Sequence, residues 1–317
     1  MRFVTAVLLA AVCFGTTGTA QALGPEASAA SVGAARILIG GGALGVLAVI
    51  ASFAGRRRGA VGTPAAPATG VGPRHPLPAW LLVAIGAAGV LAYQPAFFAG
   101  TAANGVAVGT VVALGSAPVI TGGLDWALRR RYPGHRWAVA TAIATLGVGL
   151  LAAATGGAGS AGAGVGADPL GLLASLGAGA SYAVYTLAAK ALLDRGWSGT
   201  ASMGALFGLA AVFSIPLLAT TDASWLATGP GLAMALWLGL VTTTVAYLLF
   251  GYGLGGLAPA TVSTLTLAEP LTAGILGVAL LGEALTAGAL LGLLVLAVGI
   301  VVLATANAGR RPRVALG

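Results

Sequence analysis

The chain has 317 residues, 58% of them hydrophobic and 7% charged, with a mean hydropathy of +0.99. Soluble domains carry about 25% charged residues, so this composition excludes a soluble globular protein and points to an all-α polytopic protein of the lipid bilayer. The net charge of +8 does not call for nucleic acid, because the basic residues sit in short clusters between apolar runs, and the single Cys13 with loop-borne His75 and His135 argues against a disulfide or a metal site.

Ten apolar runs are close to the ~20 residues that cross a bilayer as a helix. The first, residues 2–23, has a basic start and a T-A-Q-A end, so a cleaved signal peptide is one reading and a retained helix the other. The second, 31–54, is interrupted by Arg36 and carries Gly41 and Gly45 at G-x-x-x-G spacing. Residues 55–78, rich in Gly, Pro and Arg, read as a loop. Helices three and four are expected at 79–99 and 105–128, separated by a polar turn over 100–104. A basic loop containing Arg129, Arg130, Arg131 and Arg136 leads to helix five at 137–155, followed by a Gly/Ala linker at 156–168. Helices six, seven and eight are expected at 169–190, 200–219 and 230–251, with YGLGGLAP as a tight turn. Helices nine and ten, 258–281 and 285–305, precede a basic tail at 306–317.

An N-terminus on the cytoplasmic side of a bacterial inner membrane places 14 of the 15 Lys and Arg on the inner face, with Arg36 the exception, and Glu26, Asp168, Asp222 and Glu283 outside. Ten helices also put the C-terminus inside. Dropping the first run would leave nine and an unpaired half, so ten are kept.

A shift of 152 residues aligns the two halves. Ser116-Ala117-Pro118 falls on Ala268-Glu269-Pro270; Gly122, Leu124, Ala127 and Leu128 fall on Gly274, Leu276, Ala279 and Leu280; Gly147 falls on Gly299. The expected domains are a five-helix repeat over 1–155, the linker, and a second repeat over 169–305. An odd helix number inverts the second half relative to the first, the arrangement in which secondary transporters bind substrate between repeats.

Glu269 is the one acid expected deep within a helix, where a charge must face protein or water. Pro270 lacks an N–H and disfavours α geometry at Glu269, so helix nine should loosen there. The pattern A-E-P, eleven residues, G-E and then a Gly-rich apolar helix resembles the closing segment of the EamA-like family of the drug/metabolite transporter superfamily, best over 258–305. The resemblance implies a secondary transporter with ten helices in two repeats, expected here to export small metabolites such as amino acids or related amphipathic compounds by alternating access. It also implies a role for Arg36, which matches an arginine often found there, either paired with an acid, touching an anionic group, or snorkelling outward. The family often has a glutamate on the turn between helices four and five, where this chain has Arg131.

Glu269 is read either as binding an amine or taking up a proton, or as accepting bonds from backbone freed by Pro270. Tyr93, Gln94 and Asn104, Tyr182 and Tyr185, Trp237 and Tyr247, and Thr264 with Ser263 and Thr266 suit a cavity for a small amphipathic solute. The alternatives are interfacial belt rings and hydroxyls bonded to their own helices. Asp125 is expected to pair with Arg129. No nucleotide-binding, metalloprotease or serine-hydrolase motif occurs, so ATP hydrolysis and a cofactor are not expected, and a membrane-embedded enzyme, which would need convergent catalytic groups, is argued against by one buried carboxylate and no histidine in the expected spans. A membrane scaffold or sensor partner, needing only packing surfaces, is the alternative to a transporter. The G-x-x-x-G pairs Gly204/Gly208 and Gly288/Gly292 fit either oligomer contacts or packing within the chain, leaving the oligomeric state open.

Overall fold

The computed structural model describes residues 1–59, 77–130, 132–156 and 168–308. Arg74, Arg131, most of the Gly/Ala linker and the arginines of the tail therefore lie outside the described residues. Among the described residues ten helices are long and apolar enough to cross a bilayer: α1 (Arg2–Ala22), α2 (Ala29–Ala54), α3 (Ala79–Gly105), α4 (Val108–Arg129), α5 (His135–Ala154), α6 (Pro169–Leu193), α7 (Gly199–Ala219), α8 (Gly229–Gly256), α9 (Pro259–Leu281) and α10 (Ala287–Ala306). Among the described residues there is no strand.

Two expected turns sit elsewhere. Helix α3 runs through the polar segment 100–104, and the chain breaks at Gly105, whose φ of 79° is a conformation that a side chain would oppose. Helix α8 likewise continues to Gly256, so YGLGGLAP is mostly helix and the turn is confined to Leu257-Ala258 ahead of Pro259. In both cases polar or glycine-rich residues are tolerated in the helix because it is packed against neighbours.

Small residues set the packing. Helix α2 crosses α7 where Gly45 and Gly208 meet Cα to backbone and where Gly204 and Gly41 lie on the carbonyls of Leu44 and Phe207. Helix α5 crosses α10 where Gly147, Gly292 and Gly299 lie on the backbones of Leu296, Leu151 and Ala144. Gly204/Gly208 and Gly288/Gly292 thus serve contacts within this chain. The main pairings of α1, α2, α6 and α7 recur with an offset of five helices. Helix α1 packs on α8 and α9, as α6 packs on α3 and α4; α2 packs on α8, as α7 packs on α3. The α2–α7 and α5–α10 contacts map onto themselves under that offset.

Helix α1, the possible signal peptide, is packed into this bundle with Val7, Ala10 and Ala11 fully buried. Its Gly15 lies against the carbonyl of Glu269 and the side chain of Thr272, an approach that only a glycine permits. At the ends of α4 and α6, Asp125 pairs with Arg129 at 2.7 Å, as the i,i+4 spacing predicts, and Arg129 reaches on to Asp194 at 2.7 Å. Lys190 joins them at 3.6 Å from Asp194 and donates to the carbonyl of Leu254, tying α6 to α8.

Candidate functional site: a charged, tyrosine-walled chamber

Helix α9 is interrupted where Pro270 stands. Residues Pro259–Leu265 are α-helical, Thr266–Ala268 form a tighter 3-10 turn, and α-helix resumes at Glu269. Pro270 cannot donate to the carbonyl of Thr266, which instead receives the N–H of Glu269. This local rewinding brings Ser263, Thr266, Leu267 and Glu269 to one chamber of about 80 Å³.

The other walls come from both halves of the chain: Phe14 of α1, Arg36 of α2, Tyr93 of α3, Leu114 and Ala117 of α4, Tyr182 and Tyr185 of α6, and Tyr247 of α8. Ala117 and Glu269, equivalent under the 152-residue shift, line the same space. The carboxylate is therefore supplied by one half only.

The Arg36 side chain is directed into the bundle, towards α8. Its Nε donates to Thr243 Oγ1 at 2.9 Å and its Nη2 to the carbonyl of Thr242 at 3.1 Å. These acceptors are available because residues Trp237–Val245 of α8 wind as a π-helix. In that segment the hydroxyls of Thr242 and Thr243 both donate to the carbonyl of Leu238, and Thr244 donates to those of Gly239 and, on α2, Gly40. The snorkelling reading of Arg36 is thus replaced by an inward one, because two successive threonines, Thr242 through its carbonyl and Thr243 through its hydroxyl, supply polar partners inside the bundle. Among the described residues Nη1 has no hydrogen-bond partner, and the Glu269 carboxylate has neither a hydrogen bond nor an ion pair within 4.0 Å. Opposite charges thus face one chamber without neutralising each other by contact.

Tyr182, Tyr185 and Tyr247 are held by hydroxyl bonds and ring contacts. Tyr185 and Tyr247 share a hydroxyl–hydroxyl bond of 3.1 Å, and Tyr182 bonds Thr266 at 3.0 Å. The Tyr247 ring packs on Phe207 at 4.0 Å and on Phe14 at 5.1 Å, and Tyr182 meets Tyr185 edge-on at 5.1 Å. Such a wall presents ring faces and hydroxyls together, which suits an ammonium group or a small polar solute.

Four residues expected at the cavity lie elsewhere. Thr264 is fully buried on another face of α9, bonded to Thr141 at 2.8 Å and to the indole N–H of Trp137 at 3.0 Å. The Gln94 side chain lies against Gly33 of α2. Asn104 forms a reciprocal pair with the backbone of Asp168, which caps α6. Trp237 is 46% exposed on the outside of the bundle and donates to Thr16 on α1. Pro270 itself acts through the backbone and does not line the chamber. Phe14, Leu114 and Ala117 were missed. Ala117 was legible as the repeat partner of Glu269, whereas nothing in an apolar helix marks Phe14 or Leu114.

A ten-helix bundle with a charged, aromatic chamber contributed by both halves is the architecture of a membrane transporter rather than an enzyme. The EamA-like transporter family matches residues 169–305. The chain is 40% identical over 301 residues to an uncharacterized transporter, YwfM, of Bacillus subtilis, covering 95% of this chain and 93% of that one. A crystal structure of a protein at 18% identity superimposes with a TM-score of 0.72 over 95% of each chain, which speaks for the fold. The chain belongs to the EamA-like transporter family.

Proposed function

We propose that this transporter exports small amphipathic metabolites bearing an amine, amino acids foremost, by alternating access of two inverted repeats, residues 1–155 and 169–305. The observation that carries this reading is that Glu269 and Arg36 face one chamber without an ion pair between them. A zwitterion would complete both, placing its ammonium at Glu269 among the tyrosine rings and its carboxylate at the unused Nη1 of Arg36. A bundle serving only as a scaffold gains nothing from two unpaired charges at its centre, since each carries a desolvation cost.

Export fits an inner-membrane orientation with both termini in the cytoplasm, which the distribution of Lys and Arg favours. Glu269 is also the proposed site of proton coupling, because it is the acid that lines the chamber and can exchange a substrate ammonium for a proton. The test is efflux from cells lacking their own exporters, comparing wild type with Glu269→Gln across amino acids and toxic amines. Wild type should lower the intracellular level of one class, and Glu269→Gln, at equal membrane abundance, should not. Equal export by both would leave the carboxylate a structural role and refute the assignment.

A further inference from the structure

A second and much larger pocket, of about 770 Å³, opens at the helix ends that share a face with the N-terminus. It lies where α1, α5 and α9 begin and α10 ends, lined by Arg2, Phe3, Val4, Arg136, Leu257 and Leu303 among others. All seven acidic residues of the chain are described, and none lines it. Arg2 lies over the Phe3 ring at 4.8 Å, and among the described residues neither Arg2 nor Arg136 takes part in an ion pair. Among the described residues the pocket therefore combines two guanidinium groups that lack a carboxylate partner with the apolar side chains of Phe3, Val4, Leu257 and Leu303.

We propose that this pocket binds an anionic phospholipid, with its phosphate between Arg2 and Arg136 and the upper part of an acyl chain along Val4, Leu257 and Leu303. Three features select a lipid over a soluble solute. The pocket sits at the ends of membrane spans, at headgroup depth. Its charge is of one sign, whereas the central chamber offers both. Its volume is roughly tenfold that of the chamber, so the two do not fit the same ligand. Trp137 stands at the boundary, lining the pocket while its indole N–H is committed to Ala260 and Thr264 of α9. A bound lipid would thus rest against the helix that carries Glu269.

The test is native mass spectrometry of the full-length protein released from nanodiscs of phosphatidylglycerol or phosphatidylcholine. Wild type should retain phosphatidylglycerol and not phosphatidylcholine. The double variant R2Q/R136Q should lower phosphatidylglycerol affinity about thirtyfold, the effect of two arginines at a lipid surface. Arg130→Gln removes an exposed charge outside the pocket and should leave retention unchanged, which separates a site from a general attraction. Equal retention of both lipids, undiminished retention by the double variant, or equal loss in Arg130→Gln would overturn the proposal. So would displacement of phosphatidylglycerol by millimolar inorganic phosphate, which would assign the pocket to a free anion.

Discussion

The α5–α10 crossing makes a sharp prediction for Gly147. A Cβ added there would lie 2.4 Å from the backbone nitrogen of Leu296 and 2.6 Å from its Cα, against 3.4 Å or more in ordinary contact. The obstacle is main chain of a fully buried residue, so no rotamer change can relieve it. The helices must separate by about 1 Å, and the neighbouring contacts of Gly292 on Leu151 and Gly299 on Ala144 loosen with them. Gly147→Ala should therefore destabilise by about 1–3 kcal/mol, the usual cost of overpacking. Gly149, two residues along the same helix, has nothing within 4 Å of the equivalent position. Gly149→Ala should be neutral or stabilise by roughly 0.5–1 kcal/mol through helix propensity alone. The assay is thermal unfolding of both purified variants in one detergent, followed by intrinsic fluorescence. A midpoint lowered by several degrees in Gly147→Ala, with Gly149→Ala at or above wild type, is the expected result. Equal midpoints for the two would refute the claim that α5 and α10 meet backbone to backbone.

Other consequences are equally concrete. Trp137→Phe removes the indole N–H from the carbonyl of Ala260 and from Thr264 while keeping a ring beside Gly122, and should cost about 1–2 kcal/mol in the same unfolding assay. Arg129→Gln strips buried Asp125 of its cation and should destabilise by about 1–3 kcal/mol, whereas Asp194→Asn, at a half-exposed site, should cost no more than about 1 kcal/mol. Thr243→Val removes the acceptor for Arg36 Nε and should weaken zwitterion uptake into the chamber several-fold by titration calorimetry, with Thr243→Ser restoring it, a rescue that a packing role for the methyl group would not produce.

Much of this arrangement is legible in the order of residues. The number and placement of spans follow from apolar runs of the right length, and the Ala-Glu-Pro sequence announces both the break in α9 and the charge beside it. Pro270 forces the 3-10 turn by withholding one donor, a local cause that sequence displays directly. The inward course of Arg36 was not legible, because it depends on the π-wound threonines of α8, more than 200 residues away. Thr264 looked like a cavity residue by its nearness to Pro270, but the rewinding at 266–268 changes the face presented beyond it, and Thr264 turns to Trp137 instead. Gln94 and Asn104 show the same limit. Their polarity marked them, yet each is used for packing or capping at a helix junction. Tyrosines at 93, 182, 185 and 247 converge because α3, α6 and α8 pack around one centre, a tertiary fact that no spacing encodes.

The measurement that bears most directly on the chamber is binding to the purified protein of three matched solutes: a small amino acid, its decarboxylated amine and its deaminated acid. The account predicts that wild type binds the amino acid best. Glu269→Gln should lower that affinity roughly ten- to a hundredfold and abolish the preference over the deaminated acid, while Arg36→Gln should abolish the preference over the amine. Wild-type binding that ignores the difference between the three solutes, or variants that leave the preferences in place, would contradict the assignment of Glu269 and Arg36 as the two ends of the site.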